Sequence, residues 1–181
     1  MSSPDFKKNY FELFDLCVDF AVDKSRLGER FRQLQGELHP DKHAGASERD
    51  QRLAVQYSSL VNQAYTTLRK PLPRALYLLE LAGIGAEQVA KQHVDGGFLI
   101  VQIDLREKLE TMAELVEPEP VLDHLLTEIE VDVRELQAVF ASSYTAGNYT
   151  LAAEACVKMQ YLDKLHQEAE QIESDLMDKG S

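Results

Sequence analysis

Side chains that can bind a metal or a partner protein alternate along one short stretch of the sequence, at His39, Asp41 and His43. Imidazole nitrogens and carboxylates are common metal ligands, so the stretch could form a metal site or the centre of a small hydrolase. Pro40 lacks an amide hydrogen and disfavours helical dihedrals at the residue before it, so the same residues could be an ordinary helix stop and turn. A third interpretation is a protein-binding loop built on the His-Pro-Asp triplet.

No other part of the sequence suggests catalysis. It contains no Gly-rich phosphate loop, no nucleophile beside a base and no cluster of metal ligands. His93, His124 and His166 are scattered, and the two cysteines, Cys17 and Cys156, are far apart. We expect both cysteines to be buried, reduced thiols. The sequence therefore predicts a protein that is not an enzyme and holds no cofactor.

Amphipathic helical patterns flank the triplet on both sides. Their apolar residues recur every three or four positions: Leu27, Phe31, Leu34 and Leu38 before it, and Leu53, Tyr57, Leu60, Val61, Ala64 and Leu68 after it. Asp23 and Ser47 are expected to cap the two helices. Arg26, Arg30 and Arg32 fall outside the apolar face of the first helix, which gives it a positive side. The pattern predicts a helical hairpin with the triplet in its loop.

The rest of the chain also has helical periodicity, and no segment alternates as a strand does. Glycines and weak periodicity mark 84–97 as a linker. Three long helical patterns follow, at 98–116, 121–144 and 151–177. We predict an all-helical protein with a hairpin domain at 1–83, a linker at 84–97 and a three-helix bundle at 98–181.

Charge divides the chain into two unlike parts. Residues 1–75 carry 12 Lys and Arg against 10 Asp and Glu, whereas residues 76–181 carry 7 against 21. The two parts are therefore expected to have different partners. A net charge of −12 argues against nucleic acid as a partner. No stretch looks like a signal peptide, a transit peptide or a membrane span, so we expect a cytoplasmic protein without membrane contact.

The first part resembles a J domain, the module that activates ATPase chaperones of the DnaK class. The resemblance rests on the triplet together with Tyr10-Phe11-Glu12-Leu13-Phe14 and Asn62-Gln63-Ala64-Tyr65-Thr66-Thr67-Leu68. It implies that His39, Pro40 and Asp41 contact the ATPase domain of the chaperone and couple its closure to ATP hydrolysis. It also implies that the positive side of the preceding helix, with Arg26, Arg30 and Arg32, meets an acidic surface.

The first helical pattern of the second part is more apolar than one buried face requires. At 100° per residue, one side forms a predicted core stripe: Phe98, Val101, Leu105, Leu109, Met112 and Val116. Leu99, Ile100 and Ile103 lie on roughly the opposite side, in the sector of Glu107 and Glu110. Either a neighbouring helix covers these aliphatic residues or they form an exposed binding patch bordered by acids. A helix in a three-helix bundle has two neighbours on adjacent sides, which favours exposure.

The whole chain resembles the HscB family, the J-type co-chaperones of bacterial iron-sulfur cluster assembly. The resemblance extends over Pro71-Leu72-Pro73-Arg74-Ala75-Leu76-Tyr77-Leu78-Leu79, Phe98-Leu99, Leu105-Arg106-Glu107 and Leu162-Asp163-Lys164-Leu165. It implies that the acidic bundle binds the cluster scaffold protein IscU and presents it to the specialised chaperone HscA. The implied scaffold-binding residues are Leu99, Ile100, Ile103, Asp104, Glu107 and Tyr161. A general J-protein for unfolded clients is the alternative.

Overall fold

The computed structural model describes residues 6–39, 42, 45, 47–112, 115 and 117–179, and these residues form helices and no strand. The helices are α1 (Tyr10–Leu13), α2 (Lys24–Leu38), α3 (Glu48–Arg69), α4 (Pro71–Leu81), α5 (Ala86–Ala90), α6 (Gly96–Glu110), α7 (Pro118–Thr145) and α8 (Tyr149–Lys179). The predicted all-helical fold is confirmed. None of the described helices is long and apolar enough to cross a membrane.

The chain divides into two compact units, Met1–Leu78 and Leu79–Ser181. The division falls within α4, five residues before the end of the predicted hairpin domain at 83. The segment predicted as a linker, 84–97, belongs to the second unit and contains α5. Val89 of α5 is buried, and α5 packs against α8.

The first unit is built on the hairpin of α2 and α3. Asp23 caps α2 by accepting from the backbone N–H of Ser25 and of Arg26, at 2.9 and 3.0 Å. Ser47 caps α3 by accepting from the N–H of Asp50 at 3.2 Å. Both predicted caps are confirmed, and each satisfies backbone donors that have no partner inside the helix.

Contacts between α2 and α3 show that the two helices run antiparallel. The rings of Phe31 and Tyr65 stack, with centroids 3.9 Å apart and 11° between their planes. One turn further along α2, Gln35 donates from Nε2 to Oδ1 of Asn62 at 2.9 Å. Because the later residue on α2 meets the earlier one on α3, the hairpin closes towards the end that carries the triplet.

Arg74 is a buried cation in the first unit. Its Nη1 donates to the carbonyl oxygen of Leu68 at 2.6 Å, and its guanidinium carbon lies 4.9 Å from the centre of the Phe20 ring. Burial lowers the pKa of Arg74 from its ordinary value. The side chain satisfies a carbonyl in the last turn of α3 and joins that turn to the start of α4.

The second unit has a core made by α6, α7 and α8. Its buried members are Leu105, Leu109, Met112, Leu122, Leu125, Ile129, Leu162, Leu165 and Ala169. Gly147, with φ 73°, and Asn148, which accepts from the N–H of Leu151 at 3.2 Å, make the turn between α7 and α8. This core is the predicted three-helix bundle.

Two predictions about buried side chains are wrong. Val101 was expected in the core stripe of α6, yet its side chain is 49% exposed, and Gln102 is buried in its place at 7%. The core-facing positions are 98, 102, 105, 109 and 112, which are separated by alternating steps of four and three residues. This is a 3.5-residue repeat, and its second position is polar. Val116, also expected in that stripe, lies outside the described residues. Cys17 was expected to be buried and is exposed, whereas Cys156 is buried; both are free thiols.

Candidate functional site

The loop that carries the triplet begins where α2 ends. Leu38, the last residue of the helix, is buried, and His39 leaves the helix with φ −59° and ψ 134°. The N–H of Lys42 donates to the carbonyl oxygen of His39 at 3.0 Å. Pro40, Asp41 and His43 lie outside the described residues. The exposed His39 is thus presented at the end of the hairpin.

Two of the three arginines on the predicted positive side of α2 bind the loop that follows α1. Arg26 donates from Nη2 to the carbonyl oxygen of Asp15 at 2.9 Å. Arg30 pairs with the Asp15 carboxylate and also donates to Gln33 at 2.7 Å. Arg32 is exposed. Arg26 and Arg30 therefore help to stabilise the fold of the first unit.

The outer face of α6 exposes large aliphatic side chains to solvent. Ile100 is 69% exposed and Ile103 is 60% exposed, while Leu99 is half-buried. A surface helix seldom exposes several large aliphatic residues side by side unless they bind a partner. These are the three residues that the sequence places opposite the core stripe.

A groove of about 420 Å³ runs along this face between α6 and α8. The residues that line it are Leu99, Gln102, Ile103, Arg106, Glu107, Glu110, Tyr161 and Leu165. Four of the six predicted scaffold-binding residues are among them. The other two, Ile100 and Asp104, are exposed on the neighbouring strip of α6.

Ion pairs set the charge around the groove. Arg106 donates to the Glu168 carboxylate at 3.0 and 3.4 Å, so its charge is paired. Lys108 lies 2.8 Å from the Asp104 carboxylate, and the hydrogen bond between them raises the pKa of Lys108. Because each cation is matched by an acid, Glu107 and Glu110 leave the groove a net acidic border.

A chain of contacts runs from Asp95, the N-cap of α6, to Tyr161 in the groove. The Asp95 carboxylate accepts from the N–H of Phe98 at 2.8 Å and from Nζ of Lys158 at 2.5 Å, and the bond to Lys158 is the main reason that the pKa of Asp95 is lowered. Lys158 also lies over the Phe98 ring, 5.3 Å from its centre. The Phe98 ring in turn meets Tyr161 edge to face, with centroids 6.2 Å apart. This chain of contacts sets where Tyr161 stands relative to α6.

Gln102, Arg106, Glu110 and Leu165 line the groove without having been predicted as site residues. Gln102 is the unusual member, because its Oε1 and Nε2 are closed off from solvent and have no hydrogen-bond partner among the described residues. A buried amide without a partner costs about 1–3 kcal/mol. A polar residue in an otherwise apolar 3.5-residue repeat was the signal that could have identified it.

Metal binding has no support in the described part of the chain. There, no group of three or more His, Cys, Asp or Glu side chains is arranged to hold an ion. Of the three residues considered for a metal site, His39 alone is described. Cys156, the buried thiol, has its pKa raised to about 12 by burial, so it stays protonated and unreactive at neutral pH.

Comparison with known sequences finds close relatives over nearly the full length. The profile of a family described as "HSCB C-terminal oligomerisation domain" matches residues 94–170. The co-chaperone protein HscB homologue of Shewanella loihica is 39% identical over 171 residues, covering 93% of this chain and 99% of the relative. The homologue of Vibrio cholerae is 41% identical over 169 residues, with the same two coverages.

Solved structures of HscB proteins share this fold. Chaperone HscB from Vibrio cholerae has a TM-score of 0.84 at 39% identity and covers 93% of this chain and 99% of its own. Human co-chaperone protein HscB has a TM-score of 0.85 at 31% identity, with coverages of 94% and 85%. The relatives that share this architecture of a helical hairpin and a C-terminal helical bundle are named as co-chaperones. The chain belongs to the HscB family of co-chaperones.

Proposed function

We propose that this protein binds the iron-sulfur scaffold protein IscU with its second unit, delivers it to the DnaK-class chaperone HscA and stimulates ATP hydrolysis by HscA. The observation that carries the proposal is the groove between α6 and α8, in which half-buried Leu99 and exposed Ile103 and Tyr161 are bordered by carboxylates. Apolar residues at the centre of such a patch supply most of the binding energy, and the acids around it select a basic partner surface.

The first unit supplies the contact with the chaperone. His39 stands exposed at the end of the α2–α3 hairpin, and Pro40 and Asp41 complete the triplet beside it. Arg26 and Arg32 are both exposed on the positive side of α2, and Arg26 binds Asp15. Arg32 is therefore the arginine that we expect to steer the hairpin towards an acidic surface on HscA. The protein itself carries out no catalysis in this scheme, and the iron-sulfur cluster stays with the scaffold.

Two further observations fit a protein of the bacterial cytoplasm. The relatives from Shewanella and Vibrio are bacterial. Both cysteines are free thiols, as is usual in a reducing compartment.

Calorimetric titration with IscU tests the scaffold-binding half of the proposal. Replacing Leu99 and Ile103 together by Ala should weaken binding by about 2–4 kcal/mol if the two side chains form the centre of the interface. The matched control replaces Val131 and Val139 by Ala, since these are exposed valines of α7 that do not line the groove. Equal affinity of the wild type and the Leu99/Ile103 variant would support a general J-protein for unfolded clients instead.

The proposal that the iron-sulfur cluster stays with the scaffold has a separate test. Purified protein mixed with iron and sulfide in the absence of scaffold should acquire no cluster, as judged by visible absorption. Tight, stoichiometric cluster binding by the protein alone would contradict the proposal, and its loss on His39→Ala would favour the metal-site interpretation.

A further inference from the structure

Gln102 occupies a position at which an apolar residue would be expected. It falls between Phe98 and Leu105 in the repeat that faces the core, and its side chain is buried. Buried polar groups are normally hydrogen-bonded, and an exception calls for an explanation. Methionine has nearly the same shape as glutamine and would leave no unpaired donor or acceptor there. Stability alone therefore does not account for the glutamine.

The position of Gln102 in the groove suggests a binding role for its amide. Gln102 lines the groove together with Leu99, Ile103 and Tyr161, so its unpaired carbonyl and amino groups lie beneath the proposed scaffold-binding surface. Arg106, the cation of the groove, is engaged by Glu168 at 3.0 Å. The amide of Gln102 thus offers a neutral donor and a neutral acceptor, next to each other, in an apolar setting.

We propose that Gln102 is a binding residue of this groove and that its amide pairs with a main-chain peptide group of the docked IscU. A peptide group presents one acceptor and one donor, which match the amino and carbonyl groups of a glutamine side chain. A main-chain segment can also carry apolar side chains on either side of that peptide group, and these would contact the apolar lining of the groove. An Asn or Gln side chain of the partner could pair with the amide of Gln102 as well, but it would bring no such flanking apolar groups. This inference rests on the proposed function.

Both amide atoms are closed off from solvent in the free protein. A docked segment therefore reaches them only after a side chain that lines the groove turns aside. Tyr161 is 42% exposed and is contacted edge-on by Phe98, so we expect it to be the side chain that turns. A hydrogen bond formed in such a closed, apolar place is stronger than one formed in water.

The test replaces Gln102 by Met and measures both thermal unfolding and the affinity for IscU by calorimetry. We expect the melting temperature to rise, because an unpaired buried amide is removed, and the affinity to fall by about tenfold. Opposite changes in stability and binding distinguish a binding residue from a structural one. Gln171→Met, on an exposed part of α8, is the matched control and should change neither quantity.

Unchanged affinity of a more stable Gln102→Met protein would overturn the inference and leave the proposed function intact. If the wild type fails to bind IscU, the proposed function falls and the inference falls with it. If the wild type alone sediments as a dimer and Gln102→Met as a monomer, the occupant of the groove is a second copy of the chain, which also overturns the inference.

A measurement on the wild type covers the case in which the variant does not fold. In protein labelled with ¹⁵N, the side-chain NH₂ resonances of Gln102 should move downfield when IscU saturates the groove, and their hydrogen exchange should slow. Resonances that stay in place while backbone signals of Leu99 and Ile103 shift would show that IscU docks without using this amide.

Discussion

Arg30 of α2 forms an ion pair with the carboxylate of Asp15, in the loop that follows α1. Asp15 has φ 52°, in the left-handed region that residues other than glycine seldom adopt, and Arg26 holds its carbonyl oxygen at 2.9 Å. Two arginines of α2 therefore contact this one residue, Arg30 at its carboxylate and Arg26 at its carbonyl oxygen. The positive side of α2 therefore takes part in holding the first unit together.

We predict that Arg30→Ala and Arg32→Ala have different effects. Arg30→Ala should lower the free energy of unfolding by about 1 kcal/mol, because an ion pair and the packing of the side-chain stem are lost. Arg32→Ala should change it by less than about 0.5 kcal/mol. It should instead slow association with HscA, most clearly at low salt. Urea unfolding and stopped-flow binding measure the two effects, and equal destabilisation by both changes would contradict the assignment.

The two binding surfaces should be separable by mutation. His39→Ala should reduce stimulation of the HscA ATPase to the basal rate and alter IscU affinity by no more than about 0.5 kcal/mol, because effects at independent sites add. The double change at Leu99 and Ile103 should do the reverse. Steady-state ATPase assays and calorimetry on both variants provide the comparison. Loss of both activities from either change would refute the two-surface proposal.

The two cysteines should differ sharply towards a thiol reagent. Cys17 is exposed, whereas Cys156 is buried and burial raises its pKa to about 12. Since the thiolate is the reactive form, native protein at pH 8 should release one equivalent of chromophore from Ellman's reagent, and denatured protein should release two. Native Cys17→Ser protein is the control and should release none. Rapid reaction of Cys156 in the native state would show that α8 opens locally.

Asp132 on α7 should make stability depend on pH. Partial burial of its carboxyl group raises the pKa of Asp132, and Glu135 and Glu128 raise it further. A raised pKa means that the folded state favours the protonated form. The stability contributed by that form is complete below the ordinary aspartate value of 3.8 and is lost as the pH rises through the raised pKa.

Asp132→Asn should therefore stabilise the protein at pH 7, by less than about 0.5 kcal/mol because the site is exposed to solvent. The gain should disappear at pH 3, where the wild-type carboxyl is neutral in both states. Urea unfolding at the two pH values measures it. Asp123→Asn, which changes another exposed aspartate of α7, is the control. An equal gain in stability at both pH values for Asp132→Asn would show that titration of Asp132 is not its cause.

Local spacing and local hydrogen bonding were enough to predict the longer helices from the sequence, whereas the short α5 lies in the segment predicted as a linker. Asp23 and Ser47 cap the helices they precede, and Gly83 ends α4 with φ 86°. These features depend on residues within one turn of each other, so the sequence displays them directly. The exposed pair Ile100 and Ile103 was also predictable, because two large aliphatics share a face of α6 with acids.

Features that depend on contacts between distant residues could not be predicted in this way. The pairing of Arg30 with Asp15 requires the loop after α1 to fold back on α2, which no local pattern shows. Val101 was placed in the core by its position at 100° per residue, whereas the 3.5-residue spacing of the buried positions selects Gln102. Cys17 was misplaced because cysteine is usually buried, and its loop is an exception.

The position of Tyr161 is suited to a fluorescent probe of the groove. The chain contains seven tyrosines and no tryptophan, so Tyr161→Trp would place a single indole among the side chains that line the groove. Its emission would report a local change of polarity without background from other indoles. A docking partner that drives water from the groove would shift that emission to shorter wavelength, so each arrival and departure of the scaffold could be followed in real time by fluorescence.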